Sequence, residues 1–382
     1  MRLQLLIANS LCLLSLPAHA QTVAPAPADT LGMTAALRQL WQASALPGFA
    51  VAVIRPDGIA YERGFGYANK ARRVPYSPNT LQGVGSVSKT LIGIALLQAV
   101  AVGKLRLDQP INELLPFPVG NPYYPNQPIT LRQLATMTAS LTDNQAFYSK
   151  HAYAKGDTSE LSNEEYLRRT LTPKGQWYRD RQFLPFAPGT YYAYSNESAA
   201  LVALAIERAM GQRYCDYTRE HILRPLGMTD SDWSRTAVDT AKLATLYDQK
   251  GRPVAPYYTI TYPDGGLVTS THSLARYLLG ILNPSVPGAP LTTAERDSLI
   301  RPQFTPANFP EHVELGEPNQ GLFWAYRCNG TVGHSGGDTG ISSFLFFDPK
   351  TRIGKVFVTN TELQKSTAAE FKAIWQLLDK IH

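Results

Sequence analysis

Three short groups of residues, far apart in the chain, carry the side chains and backbone groups that acyl transfer to a serine requires. They are Ser86–Lys89, Tyr194–Asn196 and His334–Gly337. A serine hydroxyl is a weak nucleophile until a neighbouring base takes its proton. Each group also has an ordinary structural interpretation when it is taken alone. The first could be a helix cap followed by an incidental lysine, and the third a glycine-rich turn with a solvent-facing histidine.

The spacing of Ser86 and Lys89 places a lysine amine one helical turn from a serine hydroxyl, since residues three apart share a helix face. This is the one Ser-x-x-Lys in the chain, and residues 87–102 are almost wholly apolar. Such a segment predicts a buried helix, and a lysine in it needs a partner or a purpose. Burial lowers a lysine pKa, so we expect Lys89 to reach its neutral, proton-accepting form. The helix N-terminus adds N–H donors beside the site.

The second and third groups offer a proton relay, an amide and backbone donors. Tyr194 can pass a proton to a leaving group, and Asn196 can orient a substrate amide. His334 enters a predicted strand between glycines, where N–H groups can complete an oxyanion hole and the strand can pair with an extended substrate. The tyrosine pattern recurs at Tyr67–Asn69. We discard that copy because it lies at the end of a predicted strand, ahead of a basic turn.

In this order, the three groups resemble the motifs of the serine penicillin-recognising enzymes, which are Ser-x-x-Lys, Tyr-x-Asn and Lys-or-His-x-Gly. The chain is most similar to the branch that holds class C β-lactamases, DD-peptidases, esterases and D-aminopeptidases. The resemblance covers roughly residues 35–380. Further stretches that match are Pro47-Gly48, Pro188–Thr190, Asp264–Leu267 and the hairpin Ser343–Asn360.

The resemblance implies a role for each position. Ser86 would be acylated, and Lys89 and Tyr194 would share the proton transfers. The backbone N–H groups of Ser86 and Gly337 would form the oxyanion hole. No metal and no organic cofactor is implied. The substrate-binding positions would be Asn196, His334, Gly336 and Gly337.

Two departures from the family pattern stand out. The third motif begins with His334, where many β-lactamases have a lysine, and a histidine is mostly neutral at pH 7. It would hold a substrate carboxylate less firmly, which favours a peptidase or esterase over a β-lactamase. Residues Met137–Ser140 replace the His-Thr-Ser-Gly stretch of many relatives. The loss of the glycine predicts a rearranged loop there, and Thr142–Asp157 after it predicts a pocket wall particular to this chain.

Strand patterns occur near both ends of the chain and helical patterns in the middle. We therefore predict an α+β fold, an antiparallel β-sheet flanked by helices with an inserted all-helical region. One serine hydrolase domain would span 31–382, with the sheet from about 31–80 and 315–382 and the helical region over about 85–300. Local predictions include a hairpin within Phe49–Tyr67, strands at Leu322–Tyr326, Ile341–Phe347 and Ile353–Val358, a capping box at Ser162–Glu165, and helices at Leu31–Ala45 and Glu197–Met210.

The first twenty residues have the pattern of a secretion signal. Arg2 is followed by the apolar stretch Leu3–Leu16 and by Ala18-His19-Ala20, the small–x–small pattern of a cleavage site. We expect cleavage near Ala20, an Ala/Pro-rich tail over 21–30, and a secreted or periplasmic location. The signal is too short to span a bilayer, and no later segment has the roughly 20 apolar residues of a transmembrane helix.

Composition excludes several classes of protein. The chain has 382 residues, 44% hydrophobic and 17% charged, with a formal charge of +6. That composition belongs to a globular protein rather than a disordered one. The basic residues are scattered, so no nucleic-acid partner is indicated. Cys215 and Cys328 remain after cleavage, and two cysteines without suitably spaced histidine partners are no zinc site. An exported protein permits a disulfide between them, but the sequence leaves that pairing open.

These features favour an exported serine hydrolase that acts through an acyl-Ser86 intermediate on an ester, an amide or a D-amino-acid peptide. A class C-like β-lactamase is an alternative. So is a protein that binds penicillin or peptidoglycan without turnover, because it would carry the same residues. A purely structural envelope protein would not need Lys89 buried beside Ser86. The natural substrate, a small molecule or a peptide, and the oligomeric state stay open.

Overall fold

The computed structural model describes residues 30–381, so the predicted signal peptide and the tail up to residue 29 lie outside the described residues. Twelve strands are named here in chain order. They are β1 (Gly48–Arg55), β2 (Gly58–Asn69), β3 (Val74–Pro75), β4 (Leu81–Gly83), β5 (Tyr153–Lys155), β6 (Tyr257–Thr259), β7 (Val268–Ser270), β8 (Asn319–Gln320), β9 (Ala325–Tyr326), β10 (Val332–Asp338), β11 (Ile341–Phe347) and β12 (Gly354–Thr359).

Ten α-helices surround the strands, and several short 3-10 turns connect them. The helices are α1 (Thr30–Ala43), α2 (Lys89–Ala101), α3 (Leu131–Ala135), α4 (Gln145–His151), α5 (Asn163–Leu171), α6 (Asn196–Met210), α7 (Tyr214–Thr218), α8 (Thr271–Leu282), α9 (Thr293–Ile300) and α10 (Ala368–Leu378). A π-helical turn at Arg219–Leu223 continues α7. These counts refer to residues 30–381.

The central sheet joins strands from the two ends of the described chain, in the order β3-β2-β1-β12-β11-β10-β9-β8. Neighbouring strands are antiparallel, and β1 pairs with β12 to join the two halves of the sheet, with Val51 opposite Phe357. Side chains alternate between two faces along a strand. Phe49 and Val51 pack on the face covered by α1 and α10, whereas Ala52 and Ile54 pack with the helical region. The predicted fold class, an antiparallel sheet flanked by helices with helices inserted between its two halves, is confirmed.

Helix α2 is buried on every side, as its apolar sequence predicts. Its start differs from the expectation, because Gly85–Ser88 forms a 3-10 turn and the α-helix begins at Lys89. The main chain of Leu322 passes so close to α2 that a Cβ added to Gly93 would lie 2.3 Å from the Leu322 oxygen. Ser86 therefore lies on a tight turn anchored by a helix in the middle of the core.

Two local predictions are wrong. The run Leu322–Tyr326 is a strand only at Ala325–Tyr326, because Phe323 adopts a left-handed backbone with φ of 60° and turns the chain. The capping box at Ser162–Glu165 is one-sided. The Ser162 hydroxyl accepts the Glu165 N–H, but Arg168 and Arg169 bind the Glu165 carboxylate.

Two further features bear on the predicted environment of the protein. Cys215 is a free thiol, so it forms no disulfide with Cys328. Within residues 30–381, no helix combines the length and the apolar character needed to cross a membrane.

Candidate active site

The three predicted motifs meet where strand β10 runs against the turn that carries Ser86. Glycines allow this approach, because a Cβ added to Gly336 would lie 2.1 Å from the Val84 oxygen and 3.1 Å from Ser86 N. The Ser343 hydroxyl of β11 donates to the same Val84 oxygen at 2.6 Å. Ser86 lines a cleft of about 580 Å³ whose walls come from both the sheet and the helical region.

Two side chains contact the Ser86 hydroxyl. Lys89 Nζ lies 3.1 Å from Ser86 Oγ, and the Tyr194 hydroxyl donates to the same oxygen at 2.8 Å. Lys89 Nζ also lies over the Tyr194 ring, 5.1 Å from its centroid. Tyr194, 108 positions beyond Ser86, and Lys89, three positions beyond it, thus converge on one oxygen atom.

The Lys89 ammonium is completely buried, and each of its three N–H groups has an acceptor. Besides Ser86, it donates to Asn196 Oδ1 at 2.6 Å and to the Asp264 main-chain oxygen at 2.9 Å. The Asp264 carboxylate lies 3.8 Å from Nζ, and both side chains are at most 5% exposed. Asn196 lines the cleft with its amide oxygen engaged by Lys89. Its NH₂ group is the part that remains to meet a substrate.

The electrostatic environment reverses one expectation. Burial lowers the pKa of Lys89, but the charges of Tyr194 and Asp264 outweigh it, and the pKa lies above its ordinary value. The predicted lowering of this pKa is therefore wrong. Burial also raises the pKa of Tyr194, although Lys89 opposes that effect. For Asp264, burial raises the pKa to about 6 against the pull of Lys89.

Asp264 is a site residue to which the motif analysis assigned no role. It ends the 3-10 turn Tyr262–Asp264, just before Gly265 and Gly266. The Tyr148 hydroxyl donates to its carboxylate at 2.9 Å and lies 2.8 Å from the Thr261 hydroxyl. In the sequence, Asp264 is marked only as an acidic residue before two glycines, within a stretch that matches the family.

Asp143 is a second residue that sequence reasoning missed. Its carboxylate accepts the main-chain N–H of Asn196 at 2.8 and 3.0 Å, at the start of α6. A carboxylate at a helix N-terminus is favoured by the free N–H groups and the helix dipole. The loop that delivers Asp143 holds Met137 and Ser140 at positive φ. Burial and the nearby Asp143 carboxylate raise the pKa of the buried Glu197 carboxyl.

His334 lies on β10 with its ring 6.1 Å from that of Tyr194, and it is 8% exposed. Its Nδ1 atom is 2.6 Å from the Ser335 main-chain oxygen. Burial and the nearby Lys89 charge lower its pKa to about 4, so the ring is neutral at pH 7. His334 lines the cleft and is neutral, as its residue type predicts.

The segments that carry the predicted oxyanion donors are in contact. Gly85 has a positive φ of 52°, and a Cβ added to it would lie 2.9 Å from Gly337 N. The turn before Ser86 therefore packs directly against the main chain of Gly337. No cluster of three or more His, Cys, Asp or Glu side chains in residues 30–381 is placed to hold a metal ion.

Comparison with known sequences decides the family. The Beta-lactamase family profile matches residues 33–379. The chain belongs to the β-lactamase family. A β-lactamase of Pseudomonas fluorescens is 30% identical over 256 residues, which cover 67% of this chain and 65% of that protein. Protein flp of Staphylococcus aureus strain MW2 is 24% identical over 327 residues, or 82% of this chain. The chain spans only about 60% of the length of that curated relative.

Two solved structures share this fold. A penicillin-binding protein homologue from Pyrococcus abyssi, described as octameric, superposes with a TM-score of 0.72 at 23% identity, covering 91% of this chain and 76% of its own. A β-lactamase/D-alanine carboxypeptidase from Yersinia pestis, complexed with citrate, gives 0.70 at 20% identity, covering 93% of this chain and all of its own. At these identities the likeness establishes the fold alone.

Proposed function

We propose that the protein is an exported serine hydrolase that forms an acyl-enzyme on Ser86 and acts on an ester, an amide or a D-amino-acid peptide. The observation that carries this proposal is the convergence of Lys89 Nζ and the Tyr194 hydroxyl on Ser86 Oγ, within 3.1 and 2.8 Å, in an open cleft. A nucleophile held against proton-transfer groups is the arrangement of covalent catalysis. The signal pattern over residues 1–20 supports export.

Lys89 and Tyr194 together would take the serine proton. Neutral lysine with a phenol and ammonium with a phenolate hold the same number of protons, so the two groups titrate as one pair. The negative Asp264 carboxylate, 3.8 Å from Nζ, favours the form in which Lys89 carries the charge. In that form the Tyr194 oxygen, already 2.8 Å from Ser86 Oγ, is the atom that accepts the proton.

The reaction then proceeds in two displacements. Ser86 Oγ attacks the substrate carbonyl carbon while its proton passes to the pair, and the N–H groups of Ser86 and Gly337 hold the resulting oxyanion. The pair returns the proton to the leaving group as the bond to the carbonyl carbon breaks. Water, deprotonated by the same pair, attacks the acyl carbon, and the proton goes back to Ser86 as the acid is released.

Turnover of β-lactams is the second candidate function. Its support is the family and the Pseudomonas fluorescens relative called a β-lactamase. Penicillins carry a carboxylate, which many β-lactamases hold with the lysine of the third motif. The neutral His334 offers no such charge, and this favours ester or amide substrates. A protein that is acylated and stays acylated would contain the same residues.

The test combines a penicillin with an unactivated ester. The mature protein and its Ser86→Ala variant are incubated with benzylpenicillin and, separately, with a neutral butyrate ester, following intact mass and butyrate release. We expect wild-type ester turnover and a decrease of roughly 10⁵-fold in Ser86→Ala. Equal rates in the two proteins would refute Ser86 as nucleophile. Rapid penicillin loss would move the assignment to a β-lactamase, and a long-lived adduct without ester turnover would identify a penicillin-binding protein.

A further inference from the structure

His334 presents a hydrogen-bond acceptor to the cleft. A carbonyl oxygen can only accept, so the 2.6 Å contact with the Ser335 oxygen requires that Nδ1 carries the hydrogen. In a neutral ring, Nε2 is then a bare lone pair. His334 is more than nine-tenths buried, lines the cleft, and makes no hydrogen bond through Nε2 to any residue in 30–381. A ligand at this point must supply a donor.

Glu317 adds an acidic side chain to the cleft that His334 lines. It lines the same cleft, and its carboxyl forms no hydrogen bond or ion pair with any described residue. Burial raises its pKa to about 7, opposed by the charge of Arg327. Arg327 itself is buried against the Phe346 ring and does not line the cleft. Glu314, nearby on the same segment, adds a second carboxylate to the lining.

The charge of the cleft lining is one-sided. Acidic side chains of Asp264, Glu314, Glu317, Asp338 and Glu362 line it, and none of the lining residues within 30–381 is a lysine or arginine. The Lys89 ammonium lies behind the lining, where Ser86, Asn196 and Asp264 accept its three N–H groups. Asp338 and Glu362 are already bound by the main-chain N–H groups of Thr339 and Gly340. Glu314 lies 3.6 Å from His312 Nε2, and Asp264 accepts the Tyr148 hydroxyl at 2.9 Å. Glu317 differs from these four, because its carboxyl has no hydrogen-bond or ion-pair partner within residues 30–381.

These acceptors lie at the leaving-group end of the cleft. In the proposed mechanism the Lys89–Tyr194 pair protonates the departing atom, and the centroid of the His334 ring lies 6.1 Å from that of Tyr194. Glu317 and Glu314 are close enough to Tyr192, two residues before Tyr194, to raise its pKa after burial has done so. A leaving group beside Tyr194 would thus face a lone pair and carboxylates.

We propose that the cleft selects substrates whose leaving group carries an ammonium and disfavours those whose leaving group carries a carboxylate, with His334 and Glu317 as the specificity-determining residues. This inference rests on the proposed hydrolase function and names its substrate class. An N–H of the ammonium would donate to His334 Nε2, and its charge would face Glu317. A carboxylate in that place would meet acceptors only, which is unfavourable because neither side supplies a donor.

Three butyrate esters with leaving groups of nearly equal shape test the proposal. 2-(Dimethylamino)ethyl butyrate is cationic, 3-methylbutyl butyrate is neutral, and 2-carboxyethyl butyrate is anionic at pH 7. Each kcat/KM is divided by the rate constant of the ester's hydroxide hydrolysis, which removes differences in intrinsic reactivity. We expect the cationic ester to exceed the neutral one by about tenfold and the anionic ester to fall below both. The preference should weaken with added salt.

Matched variants assign the preference to residues. Glu317→Gln should bring the cationic-to-neutral ratio towards one, and His334→Lys should favour the anionic ester. Glu311→Gln is the control, because Glu311 is exposed on the same segment and does not line the cleft; its ratio should match the wild type. Equal normalised values for all three esters in the wild type would overturn the inference and leave the hydrolase function intact. No turnover of any ester and no acylation of Ser86 would remove both.

Discussion

Two parts of the cleft differ in how fully their polar groups are hydrogen-bonded. We call them the floor, which surrounds Ser86, and the third wall, which contains the third motif. The floor consists of Ser86, Lys89, Tyr194, Asn196 and Asp264, and in it the three N–H groups of Lys89 all have acceptors within 3.1 Å. In the third wall, formed by His334, Glu314 and Glu317, the first and last side chains keep bonding capacity unused within residues 30–381.

The difference separates what a site needs for chemistry from what it needs for selection. A buried polar network that is fully satisfied holds its members in one arrangement, since any movement would leave a group unpaired in a low dielectric. Acceptors that line a cleft can be bonded by water when no ligand is present, and a ligand without a donor would displace that water and leave them unpaired. The floor therefore fixes geometry and the wall discriminates between ligands.

Breaking the floor should have the largest effect. Lys89→Met removes the proton-transfer group and leaves the buried Asp264 carboxyl without its counter-ion, so kcat/KM should fall by about 10⁴-fold. The free energy of unfolding at pH 7 should fall by about 3 kcal/mol, because the buried Asp264 carboxyl must either stay charged without a counter-ion or take up a proton. Denaturant unfolding monitored by circular dichroism, together with ester turnover, checks both values.

The double variant Lys89→Met/Asp264→Asn separates the two consequences. Its stability should return most of the way to that of the wild type, since the unpaired carboxyl is gone, while its activity stays at the Lys89→Met level. If the double variant were as unstable as the single one, the ion pair would not be what the buried lysine stabilises.

Tyr194→Phe should reduce kcat/KM by about 10³-fold, within the range of general acid–base catalysis. The ring and its contacts with Lys89 and His334 remain, and only the hydroxyl that donates to Ser86 Oγ is lost. Tyr191→Phe is the control, because the Tyr191 ring stacks on Phe186 and His312 and does not line the cleft. Near-normal activity in Tyr194→Phe would leave Lys89 alone as the proton-transfer group.

The contact between floor and wall can be broken at Gly336. An alanine Cβ there would lie 2.1 Å from the Val84 oxygen and 2.4 Å from Ser343 Oγ, so β10 must move away from the Ser86 turn. We expect kcat/KM to fall by about 10²-fold, as a shift of the reacting groups by about 1 Å does. The midpoint of thermal unfolding should fall as well. Gly120→Ala is the matched control, because nothing lies within 4 Å of its added Cβ.

Sequence patterns predicted the floor better than the wall, because Ser86 and Lys89 in the floor are close together in the sequence. Ser86 and Lys89 are one turn apart, so local helix geometry is enough to bring them together. The main-chain oxygen of Asp264 reaches Lys89 across 175 positions, and no local pattern contains that contact. The direction of the Lys89 pKa shift was wrong for the same reason, because its sign depends on a partner that spacing does not reveal.

The third wall was predicted only where it coincided with a motif. His334 was expected to be neutral from its residue type. Its lone-pair orientation follows from the Ser335 oxygen, a backbone detail with no sequence signal. Glu314 and Glu317 lie on an irregular segment before β8, where neither periodicity nor a motif marks a residue as part of a site.

The smallest expected effect comes from Asp264→Asn, which removes a negative charge from the floor and leaves both proton-transfer groups, Lys89 and Tyr194, in place. The carboxylate of Asp264 raises the pKa of both Lys89 and Tyr194, so Asp264→Asn should lower both. The active form of the pair has lost a proton, and the rising limb of kcat/KM against pH should therefore move to lower pH. A stopped-flow or pH-stat profile with a neutral ester measures the shift.

The pKa of Asp264 itself sharpens that test. Since it lies near 6, the wild-type carboxyl is protonated below that pH and carries no charge to lose. The two profiles should converge below about pH 6 and separate above it. Asp57→Asn, at an exposed surface ion pair with Arg55, should leave the profile unchanged. A limb displaced to higher pH in Asp264→Asn would mean that Asp264 acts on the pair through its hydrogen bonds rather than its charge.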